Sequence, residues 1–430
     1  MAISRNWLLL KLKDYCLPLG LSAEKDKSRL PFKDKQLKKH FVRMAQTQSL
    51  SIPDSQHDYS LWERLCILRD RLIADTRFQN RVAKIPFLKN IAKKRANQLF
   101  DVMAGFVYTQ ILLSCVRLNL FNLLKDGPLD LVDIKKSCSL DAIPLKKLLD
   151  AAVSIQLLEI RSQQRYGLGT LGAPMVGNTA LSAMIEHHTV LYEDLRDPLL
   201  LLSGDVEIKK MEKFWPYVSP DQQDQEALKD KERVKNYSDL MSASLPLVAD
   251  QVVDAYDFSQ HQCLMDVGGG QGTFLKRVFS SAPELQRKLF DLPGVANLAK
   301  DNFLVAPDHQ SIEVHSGDFF KDSLPTGADL ITLIRVIFDH DDERVKILLR
   351  SIFQALPASG KLLVAEPMAD TPEHPAMGHA YFGFYLLAMG RGRPRTIQEI
   401  SNLAVHAGFK GVEVLRCSMP INAQVLLISK

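Results

Sequence analysis

The chain is 430 residues long, 46% hydrophobic, with a formal net charge of +4 and six cysteines, which is enough apolar content for two or three cored domains. The cysteines (Cys16, Cys66, Cys115, Cys138, Cys263, Cys417) form no C-x-x-C pair, arguing against a zinc site or a disulfide framework and for a reducing cytoplasm. No uncharged apolar run reaches the roughly 18 residues a membrane span requires, and the short apolar run ending at Lys11 cannot serve as a secretory signal core.

Charge is unevenly spread: residues 1–100 hold 21 Lys and Arg against 9 Asp and Glu. Residues 1–60, Lys-rich at 33–39 and then rich in Gln, Ser, Pro and Asp, read as a flexible basic leader. Such a leader is either a solvated arm or an attachment to an anionic membrane surface, worth about 1 kcal/mol per basic residue. No aromatic residues interleave with its lysines as a nucleic-acid stacking platform would need, so no nucleic acid is expected as a partner.

Leu61, Leu65, Leu68 and Leu72 then recur at helical spacing, which makes 61–98 helical. Ala96 to Leu124 reads as a long apolar helix pair, followed by two helices opened by Asp130 and Asp141 and a short hairpin at Leu157–Arg161 and Arg165–Leu168. Helices followed by a hairpin suggest a winged-helix module over 61–175. Its second helix carries only Lys146 and Lys147, balanced by Asp141 and Asp150, so dimerisation suits it better than DNA binding. Residues 176–256 form a helical connector with Glu186-His187-His188 and Phe214-Trp215-Pro216-Tyr217. Adjacent helical side chains point about 100° apart, so His187 and His188 make a poor metal pair; they are structural or belong to a substrate pocket.

Residues 257–430 read as a doubly wound α/β domain. Leu264–Val267 is a short buried strand, Gly268, Gly269, Gly270 and Gly272 make a turn, and Phe274, Leu275, Val278 and Phe279 continue as a helix. The dinucleotide fingerprint would set a third glycine at position 273, which is Thr273. Further strands are expected at Gln286–Phe290, Ser311–His315, Asp329–Ile334 and Lys361–Glu366, with a helix at 342–356 between the last two. Gly411–Cys417 and Ala423–Ser429, joined by a short turn, must run antiparallel.

The tighter glycine spacing resembles the S-adenosylmethionine (SAM) loop of class I methyltransferases, whose seven-stranded sheet ends in such a hairpin. Asp266-Val-Gly-Gly-Gly-Gln-Gly, Asp291-Leu-Pro-Gly-Val, Gly317-Asp-Phe-Phe and Arg335-Val-Ile-Phe-Asp-His-Asp-Asp-Glu resemble the SAM-dependent O-methyltransferases of the caffeate/acetylserotonin type. Those enzymes have a winged-helix dimerisation domain before a Rossmann-like domain. Met184-Ile-Glu-His-His, Leu195-Arg-Asp-Pro, Glu366-Pro-Met-Ala and Ala380–Thr396 are similar to a bacterial branch, the hydroxyneurosporene (demethylspheroidene) O-methyltransferases of carotenoid synthesis.

The resemblance implies SAM as co-substrate without a metal, a homodimer, and methylation of the hydroxyl of a 1-hydroxy acyclic carotenoid. A C-methyltransferase acting on a bacteriochlorophyll precursor, or another small-molecule O-methyltransferase, stays open as the alternative. It also implies SAM contacts from Asp266, Gly268, Gly270 and Gly272, with Asp291 accepting the ribose hydroxyls. Asp318 would accept from the adenine amino group while Phe319 packs on its ring. Where plant members place a general-base histidine this chain has Phe338, and Pro394 replaces the carboxylate that orients it. Either a base comes from His340, His187 or His188, or none is needed and solvent accepts the proton.

Overall fold

The computed structural model describes residues 59–205, 209–214, 240–241, 244–304, 312–371, 374–418 and 423–430. Residues 1–58 of the leader, Trp215–Tyr217 and residues 237–239 lie outside them. The chain divides into two units, Met1–Val102 and Met103–Lys430.

In the first unit, α1 (Leu61–Ala74) is started by a capping box in which Ser60 and Glu63 satisfy each other's backbone N–H. Helix α2 (Thr76–Val82) is capped by Asp75, whose carboxylate accepts from the N–H groups of Arg77 and Phe78. Helix α3 (Pro86–Arg117) begins here with proline in its first turn. The expected helix pair over 96–124 is thus corrected: one helix runs from 86 to 117, and only the one-turn α4 (Leu120–Leu123) follows a left-handed Asn119. By length and composition Leu88–Arg117 could also cross a membrane; the run-length criterion passes over it because Asp101 interrupts the apolar stretch. Val102 is 81% and Phe106 71% exposed, and Leu99, Phe100, Met103 and Val107 are exposed beside them.

The second unit opens with α5 (Leu131–Lys136), α6 (Ala142–Ser154) and the antiparallel pair β1 (Leu158–Ile160) and β2 (Tyr166–Leu168). Leu120, Phe121, Ile134, Leu145, Leu149 and Leu158 form their core, which is the helix–helix–wing arrangement the sequence suggests. Helices α7 (Thr179–Asp194), α8 (Pro198–Ser203) and α9 (Lys210–Phe214) come next, then α10 (Pro246–Ala255).

The sheet consists of β3 (Cys263–Val267), β4 (Gln286–Asp291), β5 (Ile312–Ser316), β6 (Leu330–Ile334), β7 (Lys361–Glu366), β8 (Gly411–Leu415) and β9 (Gln424–Ser429) in the order β5-β4-β3-β6-β7-β9-β8. Strands β3 to β7 pair in parallel, and β9 runs antiparallel between β7 and β8. Every residue of β3 and β6 is buried, as strands covered on both faces must be. On one face lie α13 (Asp342–Ala355) and α15 (Ile397–Ala407) through Val345, Leu349, Ile352, Ile400 and Ala404. On the other, α10 and α11 (Thr273–Ser281) pack through Val248, Val252, Phe274 and Val278. Helix α12 (Pro293–Leu304) links β4 to β5, and α14 (Gly383–Met389) follows one turn of π-helix at Met377–Phe382.

Candidate active site

The glycine turn between β3 and α11 sits at the carboxyl edge of the central strands, where open α/β sheets bind ligands. Gly268, Gly270 and Gly272 have φ of 72°, 58° and 78°, the left-handed region that side chains other than glycine rarely enter. A Cβ would lie 2.9 Å from Val336 Cγ2 at Gly268 and 2.2 Å from Phe303 Cζ at Gly272, whereas at Gly270 it meets nothing within 4 Å. The outer glycines are therefore fixed by packing. The middle one leaves backbone facing open space.

One carboxylate latches this turn and a second is buried below it. Asp291, at the end of β4, accepts from Gly270 N–H at 2.8 Å through Oδ2 and from Leu292 N–H at 2.7 Å through Oδ1. Burial pushes its carboxyl up to about 6 against the pull of those two N–H groups. Asp266 lies beneath the turn, with Oδ1 accepting from Thr332 Oγ1 at 2.7 Å, and burial pushes it up to about 7. Its Oδ2 is 2.8 Å from where a Cβ on Gly269 would stand.

Asp318 caps its own turn: Oδ1 accepts from Phe320 N–H at 3.0 Å, and Oδ2 pairs with the exposed Lys321 at 2.9 Å. The Phe319 ring packs at 4.6 Å on Phe320 and approaches Gly268. The glycine turn, Asp291 and Phe319 are thus drawn to one edge.

Beyond β6 the chain makes a tight turn from Arg335 to His340. Arg335 has φ 58°, a conformation that costs a non-glycine residue about 1–3 kcal/mol and clusters at functional sites; its Nη1 donates to Ser244 Oγ at 2.9 Å. Glu366, at the end of β7, accepts from the N–H groups of Val336 and Ile337 at 2.9 and 2.8 Å. Arg395 is buried and donates to the carbonyls of Ile337 and His340, both at 2.7 Å, and to Asp342 at 2.8 Å. Gly392 passes so near that a Cβ there would stand 2.1 Å from Phe338 O. Phe338 itself is buried, edge-on to Phe382 at 5.8 Å, in a cluster with Leu191, Leu201, Met211, Tyr385 and Met389.

The structure separates the three histidines. His340 packs edge-on against Phe319 and Phe320 at 5.8 and 4.9 Å, and its Nδ1 is enclosed with no partner among the described residues. Burial, reinforced by Arg344 and Arg391, pushes its imidazole down to about 3, which makes it a weak proton acceptor. His187 and His188 stand on α7 in the Phe382 cluster. His187 Nε2 lies 2.8 Å from Tyr385 Oη and is sealed against Phe214, with ring centroids 4.7 Å apart; burial brings it down to about 4. His188 Nε2 lies 2.6 Å from Tyr381 Oη, and burial lowers it as well. In the sequence, Arg335, Glu366 and the stretch Ala380–Thr396 with its two tyrosines and Arg395 stand only as motif residues of the resemblance. Nothing there signals the contacts they make.

A Rossmann-like sheet ending in an antiparallel hairpin, with a glycine turn latched by an acidic residue at the end of the second strand, defines a class I SAM-dependent methyltransferase. Residues 202–410 match the O-methyltransferase domain and residues 100–185 the O-methyltransferase dimerisation domain. The chain is 38% identical over 344 residues to the demethylspheroidene O-methyltransferase of Cereibacter sphaeroides, covering 80% of this chain and 89% of that one. With the enzyme of that name from Rhodobacter capsulatus it shares 35% over 357 residues, covering 83% and 88%. The structure of human N-acetylserotonin methyltransferase in complex with SAM superposes with a TM-score of 0.63 at 25% identity, covering 78% of this chain and 97% of that one. The chain belongs to the O-methyltransferase family, uses SAM as methyl donor, and carries that family's dimerisation domain.

Proposed function

We propose that the chain methylates the hydroxyl of a 1-hydroxy acyclic carotenoid; its two relatives at 38% and 35% identity are named demethylspheroidene O-methyltransferases. The observation that carries this reading is the wall at Phe338. Where a base and its charge could stand, the chain packs Phe338 against Phe382, beside Tyr381 and Tyr385, whose polar partners are imidazoles that burial disfavours in the charged form. An apolar polyene fits such a wall; a phenolate does not gain from it. The turn Gly268–Gly272 would cradle the donor over the stretch that Asp266 holds from below. Asp291 would take the ribose hydroxyls, and Asp318 and Phe319 the adenine.

Methyl transfer is an in-line displacement that depends chiefly on alignment of nucleophile, methyl and sulfur. Of the three histidines we assign His188 to receive the alcohol proton: His340 faces other rings, and His187 is sealed. Incubation with SAM and a panel of 1-hydroxy carotenoids tests the substrate class, with a product heavier by one methylene as the expected result. Methylation only at carbon of a bacteriochlorophyll precursor would overturn it.

The same reading includes a homodimer paired through the exposed apolar face of α3, which is too continuous to be left in water. Light scattering at micromolar concentration should give twice the chain mass, and a monomer would remove the idea. It also includes peripheral attachment of a cytoplasmic enzyme to membrane through the basic leader. Removing residues 1–60 should then lower sedimentation with anionic vesicles at low salt; equal sedimentation would make the leader a solvated arm.

A further inference from the structure

We propose that Tyr381 is the catalytic residue that meets the substrate hydroxyl and that its contact with His188 is a proton relay. This rests on the reading of the site as an alcohol O-methyltransferase. Two contacts on α7 look alike. Tyr381 and Tyr385 are four residues apart and reach consecutive histidines of α7, at 2.6 Å for His188 and 2.8 Å for His187. The inner pair is closed, since Tyr385 and His187 are both buried and Phe214 covers the imidazole. It pins α14 to α7 and has no open side for a substrate. The outer pair is only half-buried on both members, so a ligand can approach Tyr381 Oη while His188 holds its other side.

Position supports the same assignment. Tyr381 stands on the π-helical turn Met377–Phe382, a widened turn that recurs at functional sites. A run of rings connects it to the donor edge: Tyr381 lies 4.9 Å from Phe382, Phe382 lies 5.8 Å from Phe338, and two residues before Phe338 is Val336, the neighbour of Gly268. The groups facing the pair are Arg335, the phenol of Tyr192 on α7, and His187; no carboxylate acts on either member among the described residues. His188 is therefore kept neutral and able to accept, and the phenol of Tyr381, pushed up to about 12 chiefly by burial, keeps its proton until another arrives.

In the step, the alcohol oxygen attacks the methyl carbon of SAM as the C–S bond breaks, and the bonding pair stays on sulfur as a neutral thioether. The alcohol proton passes to Tyr381 Oη while the proton of Tyr381 passes to His188 Nε2. The half-buried imidazolium then returns it to solvent. Phe338 can play no part in this transfer, which is why a hydroxyl on the neighbouring helix is needed.

Tyr381→Phe, His188→Gln and the double variant, made in the full chain, test the relay. Each single change should lower kcat by roughly 10²-fold, with KM and SAM affinity held within about threefold. The double should be no slower than the slower single, because both residues act on one proton. The fall in wild-type kcat toward acid pH should disappear in His188→Gln. Independently of turnover, ¹⁵N NMR of labelled histidine should show His188 Nε2 as an unprotonated acceptor whose resonance moves in Tyr381→Phe. Tyr381→Phe turning over within threefold of an active wild type, multiplicative losses in the double, or an unmoved resonance would overturn the relay alone. A wild type that methylates no 1-hydroxy carotenoid would instead overturn the substrate reading on which the relay stands.

Discussion

Asp291→Ala is expected to weaken SAM binding by about 1–3 kcal/mol, roughly 5- to 150-fold in Kd, because bound ribose hydroxyls then lose their acceptor. The carboxylate has capacity for them. Its two oxygens offer about four acceptor sites, and the N–H groups of Gly270 and Leu292 occupy one on each oxygen. Those same two bonds make the residue part of the turn, so the variant also loosens Gly270, the position where backbone is open to a ligand.

The pH dependence has a definite sign. Hydroxyl donors favour the ionised carboxylate, and the empty site holds Asp291 up at about 6. Affinity should therefore fall as pH drops from 7.5 to 5 in the wild type and stay nearly flat in Asp291→Ala. Stability of the empty fold runs the other way: a raised folded pKa stabilises fully below the unfolded value of 3.8, and that increment is lost as pH rises through about 6. Asp266, pushed up to about 7 in the same cluster, adds to this trend. Titration calorimetry at the two pH values checks the prediction, and equal affinity in variant and wild type at pH 7.5 would remove Asp291 from the ribose.

This part of the site was legible in the sequence because backbone geometry demanded it. A sharp turn after β3 needs glycines, and the carboxylate at the end of β4 follows from counting along the next strand; Lys361–Glu366 occurs at its expected bounds. The proton-handling side was not legible. His188 and Tyr381 are 193 residues apart in the chain, and nothing local to either predicts the other. The buried carboxylate of Glu366 reaches the N–H groups of Val336 and Ile337 because β6 pairs in parallel with β7, placing Ile334 opposite Ala365; strand prediction alone leaves that register open. Nor does any sequence rule place arginine in the left-handed region, as at Arg335. The helix pair expected from Ala96 to Leu124 follows the apolar stretch, which starts only after Lys93-Lys94-Arg95. On a helix these residues are exposed to water, so α3 simply continues through them.

The turn that carries Phe338 shows how burial, more than charge, sets the worth of an arginine. Arg393 and Arg395 both bind Asp342, at 2.9 and 2.7 Å, but their side chains are 41% and 1% exposed. Arg393 is a surface ion pair shared with Glu399, and such pairs contribute about 0–1 kcal/mol because water and salt screen them. Arg395 is enclosed and also satisfies the carbonyls of Ile337 and His340. Arg395→Met keeps much of the stem but strands two acceptors at about 1–3 kcal/mol each and leaves Asp342 with Arg393 alone. The expected loss is about 3–5 kcal/mol for Arg395→Met and under about 1 kcal/mol for Arg393→Met, read from urea unfolding midpoints at unchanged slope. Because Phe338 and His340 ride on this turn, kcat should fall with stability in the first variant and not in the second. Equal midpoints for the two would mean that Gly392, pressed against the Phe338 carbonyl, and the two N–H bonds to Glu366 hold the turn without the guanidinium.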